Sequence, residues 1–233
     1  GNATVIASSA LVSSDIGSVI NGGDGNDTLV GGNGADTIDG GNGSDLIAGL
    51  GGSDSILGGN GYDIADYANN LASQAISVNL GTGRANDGLG GTDTLSSIEY
   101  VRGGAGNDTL IGGDANERFR GNAGNDTIMG GNGSEDILDL SPTNGSVSVN
   151  LASGIANDGL GGTDRFTGIE AVYAGTGADT LIGGAGNDIF DGGMNGDRIE
   201  GGLGADRVRY GLFNGNNSAV TRGVSVDLAA QRA

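Results

Sequence analysis

A nine-residue period runs through most of this chain. From Gly22 it reads GGDGNDTLV, GGNGADTID, GGNGSDLIA, GLGGSDSIL and GGNGYDIAD. The frame resumes at Gly103 with GGAGNDTLI, GGDANERFR, GNAGNDTIM and a version with one extra residue, GGNGSEDILD, and again at Ala174 with AGTGADTLI, GGAGNDIFD, GGMNGDRIE and GGLGADRVR. A period this short leaves few folds open. One unit cannot bury its own apolar residue, so neighbouring units must stack and share a core.

Each unit divides into a six-residue loop, GGxGxD, and a three-residue strand, xUx. Glycine reaches φ > 0 without a Cβ clash, so a loop with Gly at positions 1, 2 and 4 turns sharply and aims carbonyls inward. The apolar residue at position 8 faces the other way. In order these residues are Leu29, Ile38, Ile47, Ile56 and Ala65, then Leu110, Phe119 and Ile128, then Leu181, Phe190, Ile199 and Val208. The fold class is all-β. A coil of two units places residues 18 apart above one another, roughly 4.8 Å along the axis. Position-6 aspartates then stack as Asp27, Asp45 and Asp63 on one edge and Asp36 and Asp54 on the other.

Stacked carboxylates at that distance repel unless a cation lies between them. The formal charge of −19, from 29 acidic against 10 basic residues, states the same problem for the whole chain. It also argues against a nucleic-acid partner, which needs a basic surface. There is no His and no Cys, which removes the commonest general base, the soft-metal ligands and any disulfide brace. What remains is carbonyl and carboxylate oxygen, a hard set suited to calcium, whereas magnesium tolerates irregular geometry poorly. No stretch approaches the roughly 20 apolar residues of a membrane span, and no signal peptide is visible. The share of Gly, 52 of 233 residues, would suit a disordered linker, but linkers do not place Asp and an aliphatic residue in a fixed frame. Without calcium, disorder is the expectation. A phosphate-binding glycine loop is excluded because no helix can follow within nine residues.

Two spacers separate the arrays and resemble each other. Ile76-Ser-Val-Asn-Leu80 and Asn86-Asp-Gly-Leu-Gly-Gly-Thr-Asp93 return 71 residues later as Val147-Ser-Val-Asn-Leu151 and Asn157-Asp-Gly-Leu-Gly-Gly-Thr-Asp164. Alternation at Ile76, Val78 and Leu80 predicts a half-buried strand, with a second strand at Ile98–Val101 and Ile169–Val172. Glu99 and Glu170 lie nine residues before Asp108 and Asp179, and the sequence leaves them between edge ligands and solvated residues. Asp87, Asp93, Asp158 and Asp164 read as Asx turns rather than cation ligands. The chain therefore divides into a degenerate N-terminal edge (1–21), a first array (22–67), a first spacer (68–102), a second array (103–140), a second spacer (141–173), a third array (174–210) and the start of a truncated third spacer (211–233), which begins at Val224-Ser-Val-Asp-Leu228.

The repeat GGxGxDxUx resembles that of the RTX (repeats-in-toxin) family, over about residues 20 to 210. The resemblance implies a right-handed parallel β-roll in which several calcium ions sit between loops two units apart. Carried over, the ligand candidates are Asp27, Asp36, Asp45, Asp54, Asp63, Asp108, Asp126, Asp179, Asp188, Asp197 and Asp206. The loops supplying carbonyls carry Gly23, Gly25, Gly32, Gly34, Gly41, Gly43, Gly104, Gly106, Gly124, Gly177, Gly184 and Gly186. Three loops depart from the motif: Ala115 and Glu117 replace Gly and Asp, the insertion near Glu135-Asp136 shifts the frame, and Asn195 stands at position 4. Sites there are expected to be weaker.

The functional expectation is a non-catalytic, calcium-binding region of a larger secreted or cell-surface protein, folding outside the cell. The rivals are a structural rod of a surface-layer protein or adhesin, and a C-terminal module of a secreted enzyme. The expected partners are calcium ions, the remainder of a longer parent chain, and self-association or surface-lattice contacts through an open sheet edge near 211–233. Neither nucleic acid nor a membrane span is expected.

Overall fold

The computed structural model describes residues 1–6, 16–209 and 225–227. Within them every regular element is a β-strand. The strands form two sheets, of 10 and 14 strands, and the chain visits the two alternately through each array. The first sheet runs in chain order through Thr4–Ile6, Thr28–Val30, Leu46–Ala48, Ile64–Asp66, Tyr100–Arg102, Arg118–Arg120, Ile137–Asp139, Ala171–Tyr173, Ile189–Asp191 and Arg207–Arg209, each strand parallel to the next. Leu29 lies opposite Ile47 in the first sheet and Ile38 opposite Ile56 in the second, so one coil is two units, as the period requires.

The position-8 residues of both sheets meet in one continuous core. Leu29, Ile38, Ile47, Val101, Leu110, Phe119, Ile128, Leu181, Phe190 and Ile199 are all fully or almost fully buried. Burying an aliphatic or aromatic side chain of this size contributes about 1.5–3 kcal/mol relative to leaving it exposed. A single rung is therefore weak, and the fold depends on stacking many.

Coils approach closely at the loops, and glycine makes that approach feasible. Gly43 has a φ of +136° and a Cβ there would be built into the Gly25 carbonyl below it. Gly23 has a φ of +90° but open space around it. In the first array the loops do more than turn: the strands Thr37–Gly43 and Ser55–Gly61 continue into them, with Gly41 paired to Gly59 and Gly43 to Gly61. The simple division into a six-residue loop and a three-residue strand does not hold on that edge.

Each spacer inserts a three-stranded meander into the second sheet. Thr92–Ser96 lies parallel on Ser55–Gly61. Arg84–Asn86 runs antiparallel beside it, and Ser77–Asn79 antiparallel beside that. Ser77–Asn79 then receives Thr109–Ile111 in parallel, with Val78 opposite Leu110. The second spacer repeats this with Thr163–Thr167, Ile155–Asn157 and Ser148–Asn150. In the first sheet, Tyr100–Arg102 and Ala171–Tyr173 carry the stack across, each pairing with an array strand on both sides. The strands expected at Ser77–Asn79 and Tyr100–Arg102 are present, and the two that complete the meander are additional. Ser225–Asp227 pairs directly with Arg198–Glu200, the place that Thr92–Ser96 and Thr163–Thr167 hold in the first two spacers. The rest of 211–233 lies outside the described residues, and with it the expected self-association.

A second cluster lies on the side of the first sheet away from the core. Asp139 is fully buried and takes Arg118 at 2.9 Å, Arg120 Nε at 3.0 Å and the Tyr100 hydroxyl. The Arg118 guanidinium sits over two rings, 4.8 Å from the centroid of Tyr100 and 5.2 Å from that of Tyr173. Burial alone would raise the Asp139 pKa, but the two guanidiniums hold it down at about 2.

Candidate metal centre

The loop aspartates form two ladders, one along each edge of the roll. Along each ladder the backbone N–H of one rung donates to a carboxylate oxygen of the rung one coil on, with breaks after Glu99 and Glu170, whose N–H groups donate to the Asp63 and Asp136 carbonyls. On the edge before the first sheet, Asp27 donates to Asp45 at 2.8 Å, Asp45 to Asp63 at 2.9 Å and Asp63 to Glu99 at 2.8 Å. Further along this edge Glu117 donates to Asp136 at 2.8 Å, Asp136 to Glu170 at 3.1 Å and Asp188 to Asp206 at 3.0 Å. On the other edge Asp36 donates to Asp54 at 2.8 Å and Asp54 to Asp93 at 3.0 Å. The same edge continues with Asp108 to Asp126 at 2.8 Å, Asp126 to Asp164 at 3.0 Å and Asp179 to Asp197 at 3.0 Å.

Where the acceptor is an aspartate this bond uses Oδ1 and fixes where Oδ2 points; Glu99 and Glu170 accept through Oε2. In Asp27, Asp45, Asp54, Asp63, Asp126, Asp136, Asp179 and Asp197 the Oδ2 atom is buried without a hydrogen-bond partner, as is Oε2 of Glu117. In Asp36, Asp108 and Asp188 it accepts the N–H of Gly32, Gly104 and Gly184, at 2.6, 2.8 and 2.6 Å. Carbonyl oxygens crowd the same places. A Cβ on Gly22 would lie 2.5 Å from Asp27 Oδ2 and 2.5 Å from the Gly40 carbonyl oxygen one coil on. Buried oxygens converging without a donor between them are costly unless a cation joins them. Among the described residues no three carboxylates gather round one point. A cation would therefore complete its shell with carbonyls, which calcium accepts and which a hard, oxygen-only donor set fits.

The electrostatics agree. Burial first, then neighbouring carboxylates, push Asp54 up to about 7, Asp63 to about 6 and Asp126 to about 8. Glu117 rises to about 7 and Asp197 to about 6 for the same reasons. Without a cation the folded ladder penalises its own charge.

Of the aspartates singled out in the sequence, all except half-buried Asp206 are buried, and the structure strings every one of them on a ladder. The degenerate loops keep their places. Glu117 substitutes for Asp, the insertion is absorbed so that Asp136 takes the rung while Glu135 pairs with Arg209, and Asn195 adopts a φ of +72° with its side-chain amide donating to the Thr176 carbonyl. Glu99 and Glu170 are rungs. Two sequence readings need correction: Asp93 and Asp164 are also rungs, not turn residues. The signal was present, because GLGGTDTLS (88–96) aligns with GLGGSDSIL (49–57), but Asp93 stands 39 residues beyond Asp54 instead of 18. Asp87 and Asp158 do make the expected turns.

Comparison with known proteins agrees with this frame. The RTX calcium-binding nonapeptide repeat, in its four-copy form, matches residues 18–47, 30–65, 87–128, 111–138, 164–199, 173–208 and 196–216, together more than half of the chain. Three of these matches begin inside the spacers, at Asp87, Asp164 and Tyr173. No curated protein matches the chain. Among the described residues no helix is long and apolar enough to cross a membrane.

Proposed function

The chain belongs to the RTX calcium-binding nonapeptide repeat family, and from that premise we propose that it is the non-catalytic repeat region of a larger secreted or cell-surface protein, folded by calcium outside the cell. The observation that carries this reading is the row of buried, unpartnered Oδ2 atoms along both edges. The residues that would hold calcium are the ladder aspartates Asp27, Asp36, Asp45, Asp54, Asp63, Asp108, Asp126, Asp179, Asp188, Asp197 and Asp206, with loop carbonyls between coils. Bound calcium neutralises the ladder and ties each coil to the next. At low cytosolic calcium the same ladder opposes folding, which suits export of an unfolded chain.

A rod-like structural role is supported by one further observation: both sheets run through the spacers without a break. A stack that continues across its irregular segments can stiffen a surface-layer protein or adhesin. A role as the C-terminal module of a secreted enzyme would place the chemistry elsewhere in the parent.

Isothermal titration calorimetry of the metal-free protein tests the proposal. Several calcium ions should bind per chain, with magnesium at equal concentration failing to replace them. Absence of calcium uptake at millimolar concentration would overturn it.

A further inference from the structure

Each spacer holds one fully buried aspartate that lies off the ladders, Asp87 in the first and Asp158 in the second. One oxygen of each is spent on the turn. Asp87 Oδ1 accepts the N–H groups of Leu89 and Gly91, both at 2.8 Å. Asp158 Oδ1 accepts those of Leu160 at 2.8 Å and Gly162 at 2.9 Å. The other oxygen, Oδ2, is buried in both residues with no partner. An Asx turn needs only the first oxygen, and burying the second as an unpaired charge is expensive.

That second oxygen faces a repeat loop of the preceding array. A Cβ on Gly91 would lie 2.6 Å from Asp87 Oδ2 and run into the Gly52 carbonyl oxygen. A Cβ on Gly162 would lie 2.8 Å from Asp158 Oδ2 and run into the Gly124 carbonyl oxygen. The loops that present these carbonyls end in Asp54 and Asp126, whose own Oδ2 atoms are also buried and unpartnered. The charges act on one another: Asp87 repels Asp54 and Asp93, and Asp158 repels Asp126 and Asp164. The same arrangement therefore occurs twice, in two copies of one spacer.

We propose that each spacer closes a calcium site of its own against the array before it, held by Asp87, Asp54 and the Gly52 carbonyl in one copy and by Asp158, Asp126 and the Gly124 carbonyl in the other. The nonapeptide motif alone does not make these sites, since one aspartate of each comes from the spacer turn. They continue the column of cations across the places where the 18-residue step is broken. The inference rests on the calcium reading above.

Asp87→Asn and Asp158→Asn test it, because asparagine keeps the Oδ1 acceptor and hence the turn, and removes the charge on the second oxygen. Native mass spectrometry in saturating calcium should show each variant carrying one ion fewer than the wild type, and the double variant two fewer. For a variant too unstable to count this way, urea unfolding at a series of calcium concentrations gives the ions released per chain from the dependence of stability on calcium. That number should also fall by one per substitution. Unchanged ion numbers by either method, with the wild type still binding calcium, would overturn the proposal. A wild type that binds none would instead overturn the function proposed above.

Discussion

At the scale of single residues, an aspartate carries two jobs on its two oxygens. Oδ1 fixes the neighbouring coil through its backbone N–H, and Oδ2 in most buried rungs has no protein donor, which leaves it open to the proposed cation. A rung with carboxylates on both sides should therefore matter more than one with a single carboxylate neighbour. Asp45 lies between Asp27 and Asp63, whereas the other neighbour of Asp27 is only the N–H of Ala3. We expect Asp45→Ala to raise the calcium concentration at the folding midpoint more than Asp27→Ala does, as followed by circular dichroism; equal midpoints would refute the stacking register. These rungs were legible in the sequence because position 6 recurs at a fixed step. Asp93 and Asp164 were obscured because an inserted hairpin lengthens the step while leaving the unit itself intact. The unpaired Oδ2 of Asp87 and Asp158 had no sequence signal, since a turn aspartate reads the same whether or not its second oxygen is buried.

At the scale of elements, short parallel strands are held in two different ways. The edges rely on loops whose charge requires a cation. The outward face of the first sheet relies on Asp139, Arg118, Arg120 and Tyr100, which need none. Breaking a buried pair by removing one partner typically costs about 3–5 kcal/mol, because the other charge is left uncompensated. Asp139→Asn should thus destabilise the calcium-loaded protein by roughly 3 kcal/mol in urea unfolding, with its number of bound calcium ions unchanged. A loss of bound calcium would show that this cluster belongs to the metal sites after all. Simple periodicity made legible the arrays and two strands of each spacer, Ser77–Asn79 and Tyr100–Arg102 in the first and Ser148–Asn150 and Ala171–Tyr173 in the second. It did not give the meander, because Arg84–Asn86 buries only Ala85 toward the core and lacks an apolar alternation strong enough to mark a strand.

At the scale of the whole molecule, the ladders make the metal-free fold sensitive to pH in a direction opposite to ordinary acid denaturation. Asp54, Asp126, Asp164 and Glu117 have folded pKa values of about 7, 8, 7 and 7, against 3.8 for free Asp and 4.5 for free Glu. The folded chain thus binds these protons more tightly than the unfolded chain. Their contribution is fully present below the unfolded values and is lost as pH rises through about 7 to 8. Without metal, thermal stability should increase as pH falls from 8 to 5. With saturating calcium the trend should reverse, since protons then compete for the ligand oxygens. Asp139 acts oppositely, but its stabilising charge is lost only as pH falls from 3.8 toward about 2, so it does not mask the effect.

The central claim is that cations between stacked carboxylates are what make this chain fold. Far-UV circular dichroism at pH 8 in excess chelator, followed by titration with calcium to millimolar concentration, tests it most directly. The account predicts little β signal in chelator and a cooperative gain as calcium is added; a well-formed β spectrum already present in chelator would contradict it.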